Sequence, residues 1–152
     1  MTPAHKTVLI VDDDPDQHVL CGLYLEHAGY AVLHAHDGRE GIELARQRRP
    51  SVILMDLRMP RLDGASAFQA LAADGATREI PVVAVSADVL EWSETRALRE
   101  GFAGHIPKPC DLRRIHETVQ RLVGPAAAPE PAARAHAPSL ALLASLDTVA
   151  VL

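Results

Sequence analysis

Aspartate residues close two apolar, β-prone stretches of the chain. Asp12, Asp13 and Asp14 end the run VLIVDDDPD, and Asp56 ends VILMD. Two carboxylates about 4 Å apart repel each other by roughly 4 kcal/mol at an effective dielectric of 20. Such a group either takes up protons or binds a cation. Oxygen ligands without a cysteine or histidine in these motifs favour a hard ion such as Mg²⁺ over zinc.

A hydroxyl and an ammonium group follow two further apolar runs. Ser86 ends VVAVS, and Lys108 follows in HIPKPC. Beside metal-bound carboxylates, these groups would bind phosphoryl oxygens. Each residue alone has an ordinary explanation, since Asp14 before Pro15 is typical of a helix N-cap and Asp56 of a turn. The joint placement of the acids, the serine and the lysine at strand ends favours a phosphoryl-handling site.

The elements that must position these residues alternate five times. We predict strands at Thr7–Val11, Ala31–Ala35, 52–55, 82–85 and 105–106. We predict helices at 15–28, 37–49, Gly64–Ala73, 89–100 and Leu112–Val123, from their capping, proline and glycine signals. This alternation predicts an α/β fold, a (βα)5 doubly wound parallel sheet with helices on both faces. Sites in such sheets lie beyond the carboxyl ends of the strands.

The composition indicates a soluble, cytoplasmic chain. Its 152 residues are 48% hydrophobic and carry a net charge of −5, which gives no basic surface for nucleic acid or an anionic membrane. No apolar run reaches the ~18 residues of a membrane span, and the first residues lack the apolar stretch of a signal peptide. The two cysteines, Cys21 and Cys110, form no CxxC pair and are expected to be reduced thiols.

The domain boundary is predicted from a change of composition after Gly124. Residues 1–124 form the domain, and residues 125–138 form a Pro/Ala-rich linker. Residues 139–152 form a short apolar segment, either an amphipathic helix that docks on the domain or on a partner, or a disordered tail.

Taken together, these motifs resemble the receiver domain of two-component response regulators, from residue 6 to about residue 123. VLIVDDDP resembles the acidic pocket, ILMDLRMPRLDG the phosphoacceptor segment, PVVAVSA the strand with its Ser/Thr, and PKP the lysine with a cis-proline. The resemblance implies a flavodoxin- or CheY-like sheet with strand order 2-1-3-4-5. That order would bring the first, third, fourth and fifth strand ends to one place.

The resemblance also implies a metal site and a phosphoacceptor. Asp56 would accept the phosphoryl group and bind Mg²⁺ together with Asp13. The backbone carbonyl of Arg58 would be a further ligand, and Asp12 would act through a water molecule or by helping to shape the site. Asp14 is left as the cap of the first helix.

The function implied is that of a stand-alone response regulator for phosphorelay signal transduction. Asp56 would take phosphate from a sensor histidine kinase or a histidine phosphotransfer protein, with Ser86 and Lys108 binding the phosphoryl group. The chain would relay phosphate or change its binding of an output protein at the face of the fourth helix, fifth strand and fifth helix. It would not be an enzyme, beyond self-catalysed phosphotransfer and dephosphorylation. The alternatives are a phosphorylation-independent adaptor with this fold and a Mg²⁺-dependent aspartyl-phosphate phosphatase.

Four residues depart from the family pattern or tune it. His105 stands where the family has a switch Tyr or Phe, and is either an altered, pH-sensitive switch or a solvent-facing strand residue. Arg58 and Asp88 either control water access to the phosphoryl group or form a surface ion pair. Trp92, on the predicted fourth helix, is either an exposed interaction anchor or a core residue.

Overall fold

The computed structural model describes residues 6–88 and 90–126, and in them five parallel strands form one sheet. The strand order is β2-β1-β3-β4-β5, so the predicted fold class and order are confirmed. The strands are β1 Thr7–Val11, β2 Ala31–Ala35, β3 Val52–Asp56, β4 Val82–Ser86 and β5 Gly104–Pro107.

The five helices are α1 Pro15–His27, α2 Gly38–Arg48, α3 Gly64–Ala73, α4 Glu94–Glu100 and α5 Leu112–Val123. The side chain that precedes each helix accepts a backbone N–H of its first turn, which satisfies a group that has no partner within the helix. These capping residues are Asp14, Asp37, Asp63, Ser93 and Asp111. The prediction that Asp14 caps the first helix is therefore confirmed.

The core forms two layers, one on each face of the sheet. Alternate residues of β1 divide between them, with Leu9 on one side and Val8 on the other. The layer around Leu9 contains Leu71 of α3, and the layer around Val8 contains Ile115 of α5. Every residue of β3 and β4 is buried, as expected for central strands of a parallel sheet. The apolar layers fix the strand ends that carry the polar residues.

The fourth helix is shorter than the predicted 89–100, because its first turn begins at Glu94. The hydroxyl of Ser93 accepts the N–H of Arg96 at 3.0 Å and so starts the helix. Upstream, the carboxylate of Asp88 accepts two backbone N–H groups at 3.0–3.1 Å, and its carbonyl accepts the N–H of Trp92 at 2.9 Å. Asp88 therefore organises a turn where the sequence pattern predicted helix.

Trp92 lies in that turn rather than on the helix, and it is a core residue. Its side chain is 7% exposed and packs edge-on against Phe102, with ring centroids 5.8 Å apart. The guanidinium of Arg96 lies 4.2 Å from the centre of the indole ring and covers it. The interpretation of Trp92 as an exposed anchor is wrong.

The backbone just after α5 is hydrogen-bonded to two residues from the first third of the chain. Lys6 Nζ donates to the carbonyl of Pro125 at 2.9 Å, and the hydroxyl of Tyr30 donates to the carbonyl of Gly124 at 2.9 Å. Most of the predicted linker and all of the predicted 139–152 segment lie outside the described residues. Within the described part of the chain, no helix is both long and apolar enough to cross a membrane.

Candidate functional site: an acidic pocket at the strand ends

The sheet brings the predicted site residues to one edge. Asp12 directly follows β1, while Asp56 and Ser86 are the last residues of the adjacent strands β3 and β4. The backbone N–H of Lys108 donates to the carbonyl of Ser86 at 2.8 Å, which fixes the lysine beside the end of β4. The peptide bond after Lys108 is cis, as the family resemblance implies.

Three carboxylates form the centre of this pocket. Asp12, Asp13 and Asp56 each offer an oxygen atom, and these atoms lie within 4.8 Å of one another. Asp12 and Asp56 are 2% and 3% exposed, whereas Asp13 is exposed. Two acids are thus withdrawn from water and a third stands at the opening.

Lys108 supplies the positive charge at the pocket. Its Nζ lies 3.0 Å from Asp12 Oδ2 and 3.4 Å from Asp56 Oδ2. Burial alone would lower the pKa of Lys108. The hydrogen bond to Asp12 and the charges of Asp56 and Asp12 outweigh that effect and raise the pKa. The ammonium is therefore held in its charged form.

Asp56 keeps a surplus of negative charge around it despite Lys108. Burial, and then the charge of Asp12, raise the pKa of Asp56 from 3.8 to about 6, against the opposing effects of the Arg58 N–H and Lys108. The N–H of Arg58 donates to Asp56 Oδ1 at 3.1 Å, and Lys108 lies against Oδ2. Both oxygens of the carboxylate are thus oriented, and a further cation would favour its ionised form.

The donor set fits a hard divalent ion. The three ligand groups are carboxylates, and the exposed Asp13 gives an ion access from solvent. Asp12 Oδ1 accepts the N–H of Asp14 at 2.9 Å, which orients that carboxylate. The backbone of Arg58, expected to supply a carbonyl, runs directly beside Asp56.

Ser86 and Asp88 connect the pocket to the turn before α4. Ser86 is 3% exposed, and its hydroxyl accepts the N–H of Asp88 at 3.1 Å. Asp88 Oδ2 in turn lies 3.4 Å from a guanidinium nitrogen of Arg58. These residues line one cavity of about 380 Å³ together with Trp92. The Arg58–Asp88 pair spans the β3–α3 and β4–α4 loops that border the pocket.

His105 is buried, so the interpretation of a solvent-facing strand residue is wrong. Its side chain is 8% exposed, and its Nε2 atom has no hydrogen-bond partner among the described residues. Burial, and then the charge of Arg114, lower the pKa of His105 against a smaller opposing effect of Glu94. The ring is therefore a neutral, partly unsatisfied group behind the α4–β5–α5 face.

The structure adds two features that the sequence did not single out. At Gly64, an added Cβ would overlap the Asp56 carbonyl and lie 2.7 Å from Leu57 Cα, so a glycine allows α3 to start directly against the end of β3. The sequence signal for this glycine is the Asp-Gly pair that ends the ILMDLRMPRLDG segment. The second feature is His18, whose Nε2 lies 2.7 Å from the Asp12 carbonyl oxygen.

Sequence comparisons with known proteins agree with the fold and the pocket described above. Residues 8–120 match the family model of the response regulator receiver domain. The chain is 35% identical to the polar-differentiation response regulator DivK of Brucella anthropi over 80% of this chain and 98% of DivK. It is 36% identical to protein PilH of Pseudomonas aeruginosa over 76% of this chain and 96% of PilH.

Solved structures give the same result. The Vibrio cholerae chemotaxis protein CheY4 aligns with a TM-score of 0.72 and 28% identity, over 78% of this chain and 99% of CheY4. The receiver domain of a Pseudomonas aeruginosa sensor histidine kinase, solved with a magnesium ion in its active-site cleft, aligns with a TM-score of 0.72 and 30% identity. This alignment covers 80% of the present chain and 99% of that domain.

Proposed function

The chain belongs to the response regulator receiver domain family, and we propose that it is a stand-alone response regulator phosphorylated on Asp56. The observation that carries the proposal is the setting of Asp56. Its buried carboxylate is oriented by the Arg58 N–H on one oxygen and by Lys108 on the other, beside Asp12 and Asp13. A nucleophile held in this way loses little further conformational freedom when it reaches the transition state.

In the proposed reaction, a carboxylate oxygen of Asp56 attacks the phosphorus of a phosphohistidine on a partner protein. The new O–P bond forms as the P–N bond breaks, the electron pair of that bond stays on the imidazole, and the imidazole then takes up a proton from solvent. The product is an acyl phosphate on Asp56. Water later attacks its phosphorus, which returns free phosphate and the Asp56 carboxylate.

Lys108 and Ser86 are proposed to bind the phosphoryl oxygens. Lys108 already bridges Asp12 and Asp56, so the charge that develops next to Asp56 arises within reach of its ammonium. The hydroxyl of Ser86 accepts the N–H of Asp88 at 3.1 Å and donates to the Asp88 carbonyl only over a long 3.5 Å contact, so its O–H would give up little by turning toward a phosphoryl oxygen.

Mg²⁺ is the proposed cofactor, held by Asp13, Asp56 and the Arg58 carbonyl, with Asp12 acting through water. When bound, the ion supplies positive charge to the carboxylates and to the phosphoryl oxygens. Two observations support this assignment. The three carboxylates converge within 4.8 Å, and a receiver domain of similar fold was solved with magnesium in its cleft.

The proposed switch runs from Ser86 through Asp88 to the turn before α4. If Ser86 turns toward the phosphoryl group, the N–H of Asp88 loses its acceptor. Asp88 also holds the turn that carries Trp92, so the buried indole and the start of α4 would shift together. An output protein would read this change on the α4–β5–α5 face, behind which His105 lies.

Donors of the phosphoryl group are proposed to be a sensor histidine kinase or a histidine phosphotransfer protein. One structural relative is the receiver domain of a sensor histidine kinase. The same acceptor chemistry on Asp56 would also let this chain pass phosphate along a phosphorelay. The proposal locates the chain in the cytoplasm, where Cys21 and Cys110 would remain free thiols, the form in which both are found.

Intact-mass measurement tests the proposal. The full chain is incubated with acetyl phosphate in Mg²⁺ and in excess EDTA. We expect one added phosphoryl group in Mg²⁺, little in EDTA, and none in Asp56→Asn. Asp14→Asn is the matched control, because asparagine also caps helices. Failure of the wild type to gain mass from this donor and from a phosphorylated kinase would favour an adaptor that works without phosphorylation.

A further inference from the structure

Three imidazole side chains lie together near the edge strand β2. His18 belongs to α1, and His34 and His36 lie on and just after the edge strand β2. The ring centroid of His18 is 4.8 Å from that of His34 and 4.6 Å from that of His36. His18 is 6% exposed, so the cluster is built around a buried ring. The acidic-pocket chemistry uses none of these imidazoles.

The backbone fixes the tautomer of His18. Its Nε2 lies 2.7 Å from the carbonyl oxygen of Asp12. Because a carbonyl oxygen only accepts, Nε2 carries the hydrogen and donates it. In the neutral ring, Nδ1 then holds a lone pair. Histidines that bind a metal commonly donate their other ring N–H to a backbone carbonyl or a carboxylate, as His18 does here.

His34 presents its own nitrogen to that lone pair. The two Nδ1 atoms are 2.7 Å apart, so a single hydrogen lies between two nitrogens. Burial, and then the neighbouring rings of His18 and His36, lower the pKa of His34, which keeps the ring neutral and able to bind a metal. An added Cβ at Gly22 would lie 3.0 Å from the His34 ring, so the glycine makes room for it against α1.

His36 and two nearby carboxylates lie where the cluster opens to solvent. His36 is 59% exposed, and its Nδ1 lies 3.8 Å from Glu40 Oε1. His18, His34 and His36 line one open cavity of about 490 Å³ together with Glu26. The cavity therefore collects three imidazoles and one carboxylate, with a second carboxylate next to His36.

We propose that His18, His34 and His36 form a binding site for a divalent transition-metal ion of the zinc type, distinct from the acidic pocket. On binding, the hydrogen on His34 Nδ1 is released to solvent while His34 Nε2 takes up a proton, so that both neutral rings present an Nδ1 lone pair to the ion. Zinc–nitrogen bonds of about 2.0–2.1 Å in a tetrahedron separate the two nitrogens by ~3.3 Å. The rings of His18 and His34 therefore move apart slightly on binding, and Glu26 or water takes the fourth position.

His36 completes the site by rotation. Among the described residues, the three aspartates of the pocket are the group whose ligand atoms all lie within 4.8 Å of one another. In the imidazole cluster, only the nitrogens of His18 and His34 already face each other, and the exposed side chain of His36 turns toward them. Ligand chemistry separates the two sites, since imidazoles favour zinc, nickel or copper and carboxylates favour magnesium.

Metal titration of the untagged full chain tests the proposal. Co²⁺ is added in the presence of excess Mg²⁺, which fills the acidic pocket, and the visible absorption of tetrahedral Co²⁺ is followed before displacement by Zn²⁺. We expect one equivalent to bind. His34→Gln and His36→Gln should each weaken binding at least tenfold, since changes to groups that only support a ligand already cost about 10–100-fold.

Two control variants decide where the ion binds. His27→Gln changes an exposed histidine at the end of the same helix α1, and Asp13→Asn changes the acidic pocket. Both should bind Co²⁺ as the wild type does. His36 is exposed, so loss of binding in His36→Gln with an unchanged thermal melt reports ligation rather than unfolding. Absence of binding, unchanged binding in His34→Gln and His36→Gln, or loss of binding in Asp13→Asn would each overturn the proposal.

Discussion

Lys108 Nζ lies 3.4 Å from Asp56 Oδ2, so the ammonium proposed to hold a phosphoryl group is already in contact with the proposed nucleophile. The same nitrogen contacts Asp12 at 3.0 Å. One ammonium thus faces two buried carboxylates, which leaves an excess of negative charge in the pocket. This excess raises the pKa of Asp56, and the pH dependence of the folding stability should therefore report on the pocket.

Replacing Lys108 with glutamine should raise the pKa of Asp56 further above about 6, because the change removes an opposing positive charge from beside a buried carboxylate. NMR titration of the Asp56 carboxyl group in metal-free protein measures this. Lys108→Arg keeps the charge and should leave the pKa close to that of the wild type. An unchanged or lower pKa in Lys108→Gln would show that the lysine does not interact electrostatically with Asp56.

Asp56→Asn should stabilise the metal-free protein at neutral pH. A pKa raised from 3.8 to about 6 means that the folded state binds the proton more tightly than the unfolded state does. The ionised carboxylate therefore lowers the free energy of unfolding as pH rises through this range.

Urea unfolding in EDTA at pH 4 and pH 7.5 checks the sign of this effect. The stability advantage of Asp56→Asn over the wild type should be larger at pH 7.5 and should shrink at pH 4. Asp14→Asn, at an exposed capping position, should show no comparable dependence. A wild type that gains stability relative to Asp56→Asn as pH rises would contradict the raised pKa.

Arg58→Ala should shorten the lifetime of the acyl phosphate several-fold while leaving folding stability nearly unchanged. The Arg58 guanidinium reaches Asp88 at 3.4 Å beside the pocket, but the Arg58 side chain is 80% exposed, and such surface pairs contribute about 0–1 kcal/mol. Loss of phosphate followed by intact mass measures the lifetime. Arg78→Ala removes another exposed arginine and should have no effect. Equal lifetimes in Arg58→Ala and the wild type would show that the Arg58–Asp88 pair does not control water access to the phosphoryl group.

Trp92→Ala should destabilise the domain by about 3–5 kcal/mol, because it removes a large buried side chain that packs on Phe102. Leu90→Ala is the matched control two residues earlier, where the side chain is 97% exposed, and its effect should be close to zero. Thermal or urea unfolding measures both variants. A small effect of Trp92→Ala would mean that the indole is not a core residue.

The sequence predicted the helices and strands well because local signals carry them. Apolar runs such as 52–55 mark buried strands, and residues such as Asp14 and Asp37 mark helix starts through their own side-chain hydrogen bonds. The fourth helix was predicted too long. Asp88 and Ser93 are both residue types that cap helices, and composition does not show that Asp88 holds a turn while Ser93 starts the helix. The strand order came from the family resemblance, because alternation alone does not order a sheet.

The pocket was partly predictable for the same reason. Its acids, serine and lysine each end or follow a strand, and parallel strands bring those ends together. Contacts through space were not predictable from local patterns. The burial of His105 and the 2.7 Å approach of His18 to His34 depend on how β5 and α1 pack, which no short stretch of sequence encodes.

Phosphotransfer to Asp56 tests the central claim most directly. Wild type, Asp56→Asn and Asp14→Asn are each exposed to acetyl phosphate and Mg²⁺, and their intact masses are recorded. The account predicts a gain of one phosphoryl group in the wild type and in Asp14→Asn, and no gain in Asp56→Asn. An equal gain in Asp56→Asn, or no gain in the wild type with either acetyl phosphate or a phosphorylated histidine kinase, would contradict it.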